Sequence, residues 1–318
     1  MRAAIVNPAS ASGRTATRWR SIVSRLEDAG APVEVQLTTG PGDAIAIVRR
    51  LLADGIRDFV VLGGDGTVGE VVGGCIRADG SGMIRDDVTL SIIHQGTGGD
   101  FARGLGIPKD ETGAIAVAVG DVERRIDVGI ATFQTPDGAQ TRGFASVANI
   151  GMAAEVVQQV TGRLKRLGSN GSFAVATLNC LLRNRPRPVK IVTAEGLDAD
   201  LDIVDIDVCN NRYMGGGMLV APDALLDDGL FDVVLIGAAG RARLIRTFPK
   251  IYSGRHVSDP LVRVERTCEL TITVTGDGPQ EGVVLDGELV GSTPATFRVL
   301  ESAITMRVAS EPVAGSAG

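Results

Sequence analysis

The stretch Gly63-Gly64-Asp65-Gly66-Thr67 holds one carboxylate among glycines, an arrangement with few chemical uses. Glycines let a backbone approach an anion closely, and a helix starting here would add unpaired N–H groups and a positive dipole end. Asp65 suits a phosphate site only if a divalent cation lies between them. The other reading is a glycine turn whose aspartate caps the helix that follows. A second loop of the same kind is Gly96-Thr97-Gly98-Gly99-Asp100. A third candidate is Asp286-Gly287-Glu288, set between Val283-Val284-Leu285 and Leu289-Val290. Asp-Gly between apolar runs is a hairpin signal, and a hairpin tip can present a carboxylate as a general base. The pattern G-x-x-x-x-G-K-[ST] is absent, so phosphate handling would fall to the glycine loops and a metal.

These loops need elements to carry them. Phe59–Leu62 reads as a buried parallel strand before the first loop, and Val68, Val71, Val72, Cys75 and Ile76 recur at helical spacing after it. Upstream, Arg2–Asn7 and Val33–Thr38 read as strands. Trp19, Ile22, Val23 and Leu26 mark one helix, and Ala44–Ala53 a second. Strand–helix alternation of this kind predicts a parallel sheet with ligands beyond its carboxyl ends. Asn7-Pro8, Thr38-Thr39, the Gly63 turn and the Gly96 loop after the strand Thr89–Ile93 all fall at such ends. Beyond Arg124–Ile130, a connecting strand, the period changes to two. Val204–Val208 and Leu270–Val274 read as half-buried antiparallel strands, interrupted by helices at Met152–Thr161 and Ser172–Leu182. The expectation is an N-terminal α/β domain over 1–128, a mainly β domain over 129–302 and a flexible tail over 311–318. Ala303–Val308 is a last strand open to either domain.

The totals exclude several classes. A net charge of −6 over 318 residues argues against a nucleic-acid partner. Cys75, Cys180, Cys209 and Cys268 lie far apart and the two histidines are His94 and His256, which gives neither a zinc pattern nor a disulfide framework. No apolar run reaches the ~18–20 residues of a membrane span, and the start of the chain does not read as a signal peptide. A cytoplasmic protein is expected. His94, alone at a strand end, reads as packing or surface.

Taken in order, the motifs resemble a known family. Asn7-Pro8, Gly63–Thr67 with Glu70-Val71-Val72, and Gly96-Thr97 with Asp100-Phe101-Ala102-Arg103 and Leu105-Gly106-Ile107-Pro108 are similar to the diacylglycerol kinase catalytic domain. Asn149-Ile150-Gly151, Asn210-Asn211 with Gly215-Gly216-Gly217, Ala221-Pro222-Asp223-Ala224 with Asp227-Asp228-Gly229-Leu230, and Asp286-Gly287-Glu288 continue it. The resemblance implies an NAD kinase/diacylglycerol kinase-like α/β domain with a C-terminal β-sandwich. It places the end of the chain, about 303–310, back in the first domain. It also implies ATP and Mg²⁺ as cofactors. Nucleotide contacts carry over to Asn7, Thr38, Gly64, Asp65, Gly66, Thr67, Glu70 and Thr97. Metal ligands carry over to Asp65, Asp127 and Asp228, with carbonyls near Leu225 and Leu230. The catalytic base matches Glu288, with Asp286 beside it and Asp65 as the rival.

The activity implied is ATP- and Mg²⁺-dependent phosphorylation of a hydroxyl on a diacylglycerol-like lipid. A kinase of a soluble hydroxyl compound and a non-catalytic nucleotide binder are the alternatives. A lipid acceptor calls for a membrane-facing surface and a peripheral location; a homodimer is left open. Arg163, Lys165 and Arg166, then Phe173, Leu178, Leu181 and Leu182, then Arg183, Arg185 and Arg187 could form an apolar stripe with basic flanks, or an ordinary helix with solvated arginines. Two positions depart from the family pattern: Gly69 and Gly99 stand where asparagine is usual, and His94 stands where proline is usual.

Overall fold

A computed structural model describes residues 1–96, 98–161, 169–183, 185–276 and 278–310, without the side chains of 160, 161 and 169–174. Thr97, Arg163, Lys165, Arg166, the Phe173 side chain and the tail 311–318 therefore lie outside the described residues. The chain divides into two compact units, Met1–Val128 with Leu300–Gly318, and Gly129–Val299.

The first unit alternates β1 (Arg2–Val6), α1 (Thr15–Asp28), β2 (Val33–Leu37), α2 (Asp43–Ala53), β3 (Asp58–Gly63), α3 (Asp65–Cys75), β4 (Thr89–His94), α4 (Asp100–Gly104) and α5 (Glu111–Val119). Strand β5 (Glu123–Thr135) then carries the chain into the second unit. The sheet is parallel: β1 pairs with β2 and β3, and β3 with β4. Its centre is apolar on both faces, as parallel strands covered by helices require; Val60, Val61 and Leu62 are fully buried. The end of the chain returns to this sheet, where Thr305 and Met306 run parallel beside Thr89 and Leu90. Arg307 fixes that return, with Nη1 and Nη2 donating to the Asp58 carboxylate at 2.7 and 2.8 Å.

The second unit contains β6 (Gly138–Phe144), β7 (Val147–Gly151), α6 (Met152–Thr161), α7 (Ser169–Arg183), β8 (Arg187–Thr193) and β9 (Asp198–Cys209). It continues through β10 (Tyr213–Met214), β11 (Met218–Leu219), β12 (Phe231–Gly237), α8 (Arg241–Thr247), β13 (Val262–Thr267), β14 (Glu269–Val274), β15 (Gly282–Leu285) and β16 (Glu288–Arg307). Two long strands make it a sandwich. The first half of β9 pairs with β8, and its second half with β7 and β12. Strand β16 pairs first with β15 and then with β14. Each long strand thus belongs to both layers and closes one edge. The core between them holds Phe144 stacked on Phe231 at 5.6 Å and edge-on to Phe297 at 6.3 Å.

The other face of β9 carries acids that alternation alone would place in solvent. Asp205 and Asp207 are buried under α6 and beside β7. Asp205 accepts the N–H of Ala153 in the first turn of α6, and Asn149 Nδ2 donates to Asp207 at 2.5 Å. Burial raises both carboxyls; the Asp207 charge adds to the rise at Asp205, where Arg187 opposes it, and the Asn149 hydrogen bond opposes the rise at Asp207. Asp207 moves from 3.8 to about 7. The folded state therefore holds protons that the unfolded chain has released. Stability contributed here is complete below 3.8 and is lost as pH rises through about 7. Urea unfolding at pH 5, 7 and 8.5 should show this decline, and Asp207→Asn should flatten it; a rise over that range contradicts the assignment.

Candidate active site

Three strand ends of the first unit meet through their loops. After β1, Asn7 accepts the N–H of Ala9 on its side-chain oxygen and donates through Nδ2 to Thr67 Oγ1 at 2.9 Å. That bond ties β1 to the first turn of α3. Gly63 is glycine because a Cβ there would lie 2.6 Å from the Thr67 side chain. After β4, Gln95 donates its N–H to Gly63 O at 2.8 Å, which brings the second glycine loop alongside the first. No side chain caps α3, so its leading N–H groups face this edge as a ready anion site.

Asp65 has a role that neither sequence reading contains. It is the first residue of α3, and its carboxylate reaches across to the other loop. Oδ2 accepts the N–H groups of Gly99 at 2.9 Å and Asp100 at 3.3 Å, and Oδ1 accepts that of Phe101 at 3.1 Å. Asp65 therefore caps α4, not the helix it begins. Gly98 is held close by the same strap, since a Cβ on it would lie 2.8 Å from Asp65 Oδ2.

Other expected nucleotide contacts divide. Gly64, Gly66 and Thr67 lie with Asn7 at the junction just described. Thr38 is anchored by its N–H to Val6 O at 2.9 Å. Glu70 accepts the N–H groups of Gly42 at 2.9 Å and Ala44 at 3.2 Å, so it caps α2 at the end of the loop after β2.

In the second unit Asp286 and Gly287 form the two-residue turn joining β15 to β16, with φ of 48° and 85°. The Asp286 carboxylate accepts the N–H groups of Ala145, Ser146 and Val147 at 2.8, 2.8 and 3.2 Å, and so anchors the hairpin. Glu288, half exposed beyond the turn, pairs with Arg142 Nη2 at 2.8 Å. Arg142 carried no signal in the sequence. Two other expectations are corrected here. Arg187 is no solvated flank of a helix: it is held by Glu155 and, at 2.5 Å, by Glu281. Leu181 turns inward, and Val175 joins Leu178 and Leu182 on the exposed face of α7.

A magnesium ion resident on Asp65, Asp127 and Asp228 would need free hard oxygens, and the donors are committed elsewhere. Asp65 meets three N–H groups. Asp127, buried in the first unit, accepts Ser302 N–H at 2.7 Å. Asp228, in the second unit, accepts Leu230 N–H at 3.2 Å and pairs with Arg266. Leu225 is exposed. Among the described residues no group of three His, Cys, Asp or Glu is clustered for a metal. Bonded to the chain itself in this way, the three acids do not fit a resident ion.

Gly99 has a physical reason to be glycine. Its φ is +72°, and a Cβ would lie 2.9 Å from Cδ2 of His94. Asparagine tolerates that φ, but here it meets the imidazole. Gly99→Asn should cost about 1–3 kcal/mol in urea unfolding, and His94→Ala should restore part of it; additive losses contradict the coupling. Asp65→Asn keeps one acceptor oxygen and turns the other into a donor facing N–H groups. It should lower stability by about 1–3 kcal/mol, while Asp65→Ala should cost no less. An Asn variant as stable as the parent would contradict the strap.

Comparison with known proteins follows these lines. The diacylglycerol kinase catalytic domain matches residues 2–131, and the YegS C-terminal NAD kinase beta sandwich-like domain matches 146–308. A diacylglycerol kinase of Mycobacterium tuberculosis (strain H37Rv) is 30% identical over 95% of this chain and 93% of its own length. One from Bacillus subtilis (strain 168) is 28% identical over 92% and 91%. A solved structure from Bacillus anthracis str. Sterne, assigned as a diacylglycerol kinase, shares the fold with a TM-score of 0.78 at 24% identity, covering 97% of this chain and 95% of that one. With both units matched and a relative aligned across nearly its whole length, the chain belongs to the diacylglycerol kinase catalytic-domain family, in the branch that carries the YegS-type sandwich.

Proposed function

We propose that this protein transfers the terminal phosphoryl group of ATP to the hydroxyl of a diacylglycerol-like lipid, with ATP entering as its magnesium complex. The observation that carries the lipid acceptor is the apolar lining of a small cavity of about 40 Å³ in the second unit. Met152, Leu181, Val204, Leu244, Phe248 and His256 are among its walls. Its volume is well below that of a ligand-sized pocket, so the argument rests on the lining, which suits part of an alkyl chain better than a polar alcohol. The M. tuberculosis and B. subtilis relatives are named diacylglycerol kinases, which supports the same acceptor.

In this reading the uncapped start of α3 receives the phosphates, beside the loop that Asp65 straps. The bond between the β,γ-bridging oxygen and the terminal phosphorus breaks as the lipid oxygen forms its own bond to phosphorus. ADP leaves with the electron pair, and the hydroxyl proton passes to a base. Glu288, on a rigid hairpin tip, is that base, and Asp286 is its positioning residue through the anchor on residues 145–147.

A membrane surface fits α7. Val175, Leu178 and Leu182 are 45%, 48% and 45% exposed, and Arg183 and Arg185 follow them on the surface. Leu181, on the opposite face, lines the pocket. Among the described residues no helix is long and apolar enough to cross a bilayer, so the contact proposed is peripheral.

The test is transfer of labelled phosphate from ATP to dispersed diacylglycerol and, in parallel, to glycerol. Label in the lipid alone is expected, with kcat lowered about 10²–10⁴-fold by Glu288→Gln. Label in glycerol alone, or in neither, overturns the proposal. Leu178→Glu with Leu182→Glu should weaken recruitment to anionic vesicles and leave the fold intact; undiminished recruitment removes α7 from the membrane contact.

A further inference from the structure

His94 ends β4, directly before the second glycine loop. Its ring lies against that loop's backbone: a Cβ on Gly96 would come 3.1 Å from Cε1 and 3.2 Å from Nε2, and one on Gly99 would come 3.0 Å from Nε2. Both ring nitrogens are buried, and neither has a hydrogen-bond partner. A neutral imidazole carries one donor and one acceptor, so the protein bears a standing cost at this position. Packing alone would be served better by an apolar ring.

The surroundings indicate what would relieve that cost. Ligands of parallel α/β sheets bind beyond the carboxyl ends of the strands, where His94 stands. The N–H groups of Gly99, Asp100 and Phe101 are engaged by Asp65 and are not free for an anion. Among the described residues, the imidazole is an uncommitted donor at the end of β4. Glycines at 96, 98 and 99 leave the loop no side chains, at those positions, to bar the ring from a ligand.

We infer that His94 is a binding residue of the nucleotide site, one ring nitrogen donating to a phosphate oxygen when ATP is bound. The inference rests on the reading of ATP as the phosphoryl donor. The chain has two histidines, so the imidazole nitrogens can be followed by ¹⁵N NMR and assigned with His94→Phe. Saturating ATP, and separately tripolyphosphate, should each shift one His94 nitrogen in the wild-type protein. Calorimetry should show His94→Phe binding ATP about five- to tenfold more weakly, with a Tm no lower than the parent's. A ring unmoved by bound ATP overturns the inference and leaves the ATP reading standing, as does a Phe variant that binds ATP as tightly as the parent. A shift with ATP but none with bound tripolyphosphate overturns the phosphate contact and points to the nucleoside. A wild-type protein that binds no ATP overturns the donor reading itself, and this inference with it. If the Phe variant does not fold, His94→Gln assigns the ring, and the wild-type ring shifts decide.

Discussion

One carboxylate holding three backbone N–H groups underlies the proposed nucleotide edge. A chain that turns from β4 into the short helix α4 exposes N–H groups that no main-chain carbonyl can reach. Asp65, offered from the start of the neighbouring helix, accepts those of Gly99, Asp100 and Phe101. The glycines follow from that strap. Gly98 must admit the carboxylate, Gly99 must turn left-handed beside the His94 ring, and Gly63 must let Thr67 come close. Removing the charge at residue 65 would disturb the loop before any substrate arrived.

The same solution recurs. Glu70 spends its carboxylate on the start of α2, and Asp286 spends its own on residues 145–147. Three acids from two motifs are engaged in holding backbone, which is where much of their electrostatic capacity goes. Charge-assisted bonds to N–H groups are stronger than neutral ones, so short glycine-rich loops of low intrinsic order can still be held in one geometry. In the second unit this leaves Glu288 as the half-exposed carboxylate of its turn, with Arg142 as its partner. Leu181 of α7 lines the small apolar cavity while Val175, Leu178 and Leu182 are exposed, so one helix contributes to both the interior and the apolar surface.

Much of this was legible in the sequence. Apolar runs marked the parallel strands, period two marked β9 and β14, and period 3.6 marked α1, α2 and α3 of the first unit with α6 and α7 of the second. Burial on one face or both leaves that imprint directly; α8 and most of the other sandwich strands went unmarked. The Asp-Gly turn was legible for a local reason, two residues with φ above zero. The partners of side chains were not. Nothing local says that Asp65 reaches a loop 34 residues ahead, that Glu70 caps α2, or that Arg187 is locked between two glutamates. Asp205 and Asp207 misled by type, since alternation alone would expose acids that the fold buries. His94 was read as packing because its unpaired nitrogens exist only in three dimensions.

The Asp65 strap is tested most directly by hydrogen exchange of the Gly99, Asp100 and Phe101 amides in the wild-type protein, without nucleotide and with EDTA present. The structure requires slow exchange at all three, because their partner is a carboxylate of the chain and not a metal or a ligand. Exchange at the rate of unprotected amides, or protection that emerges only when Mg²⁺ is added, would contradict it.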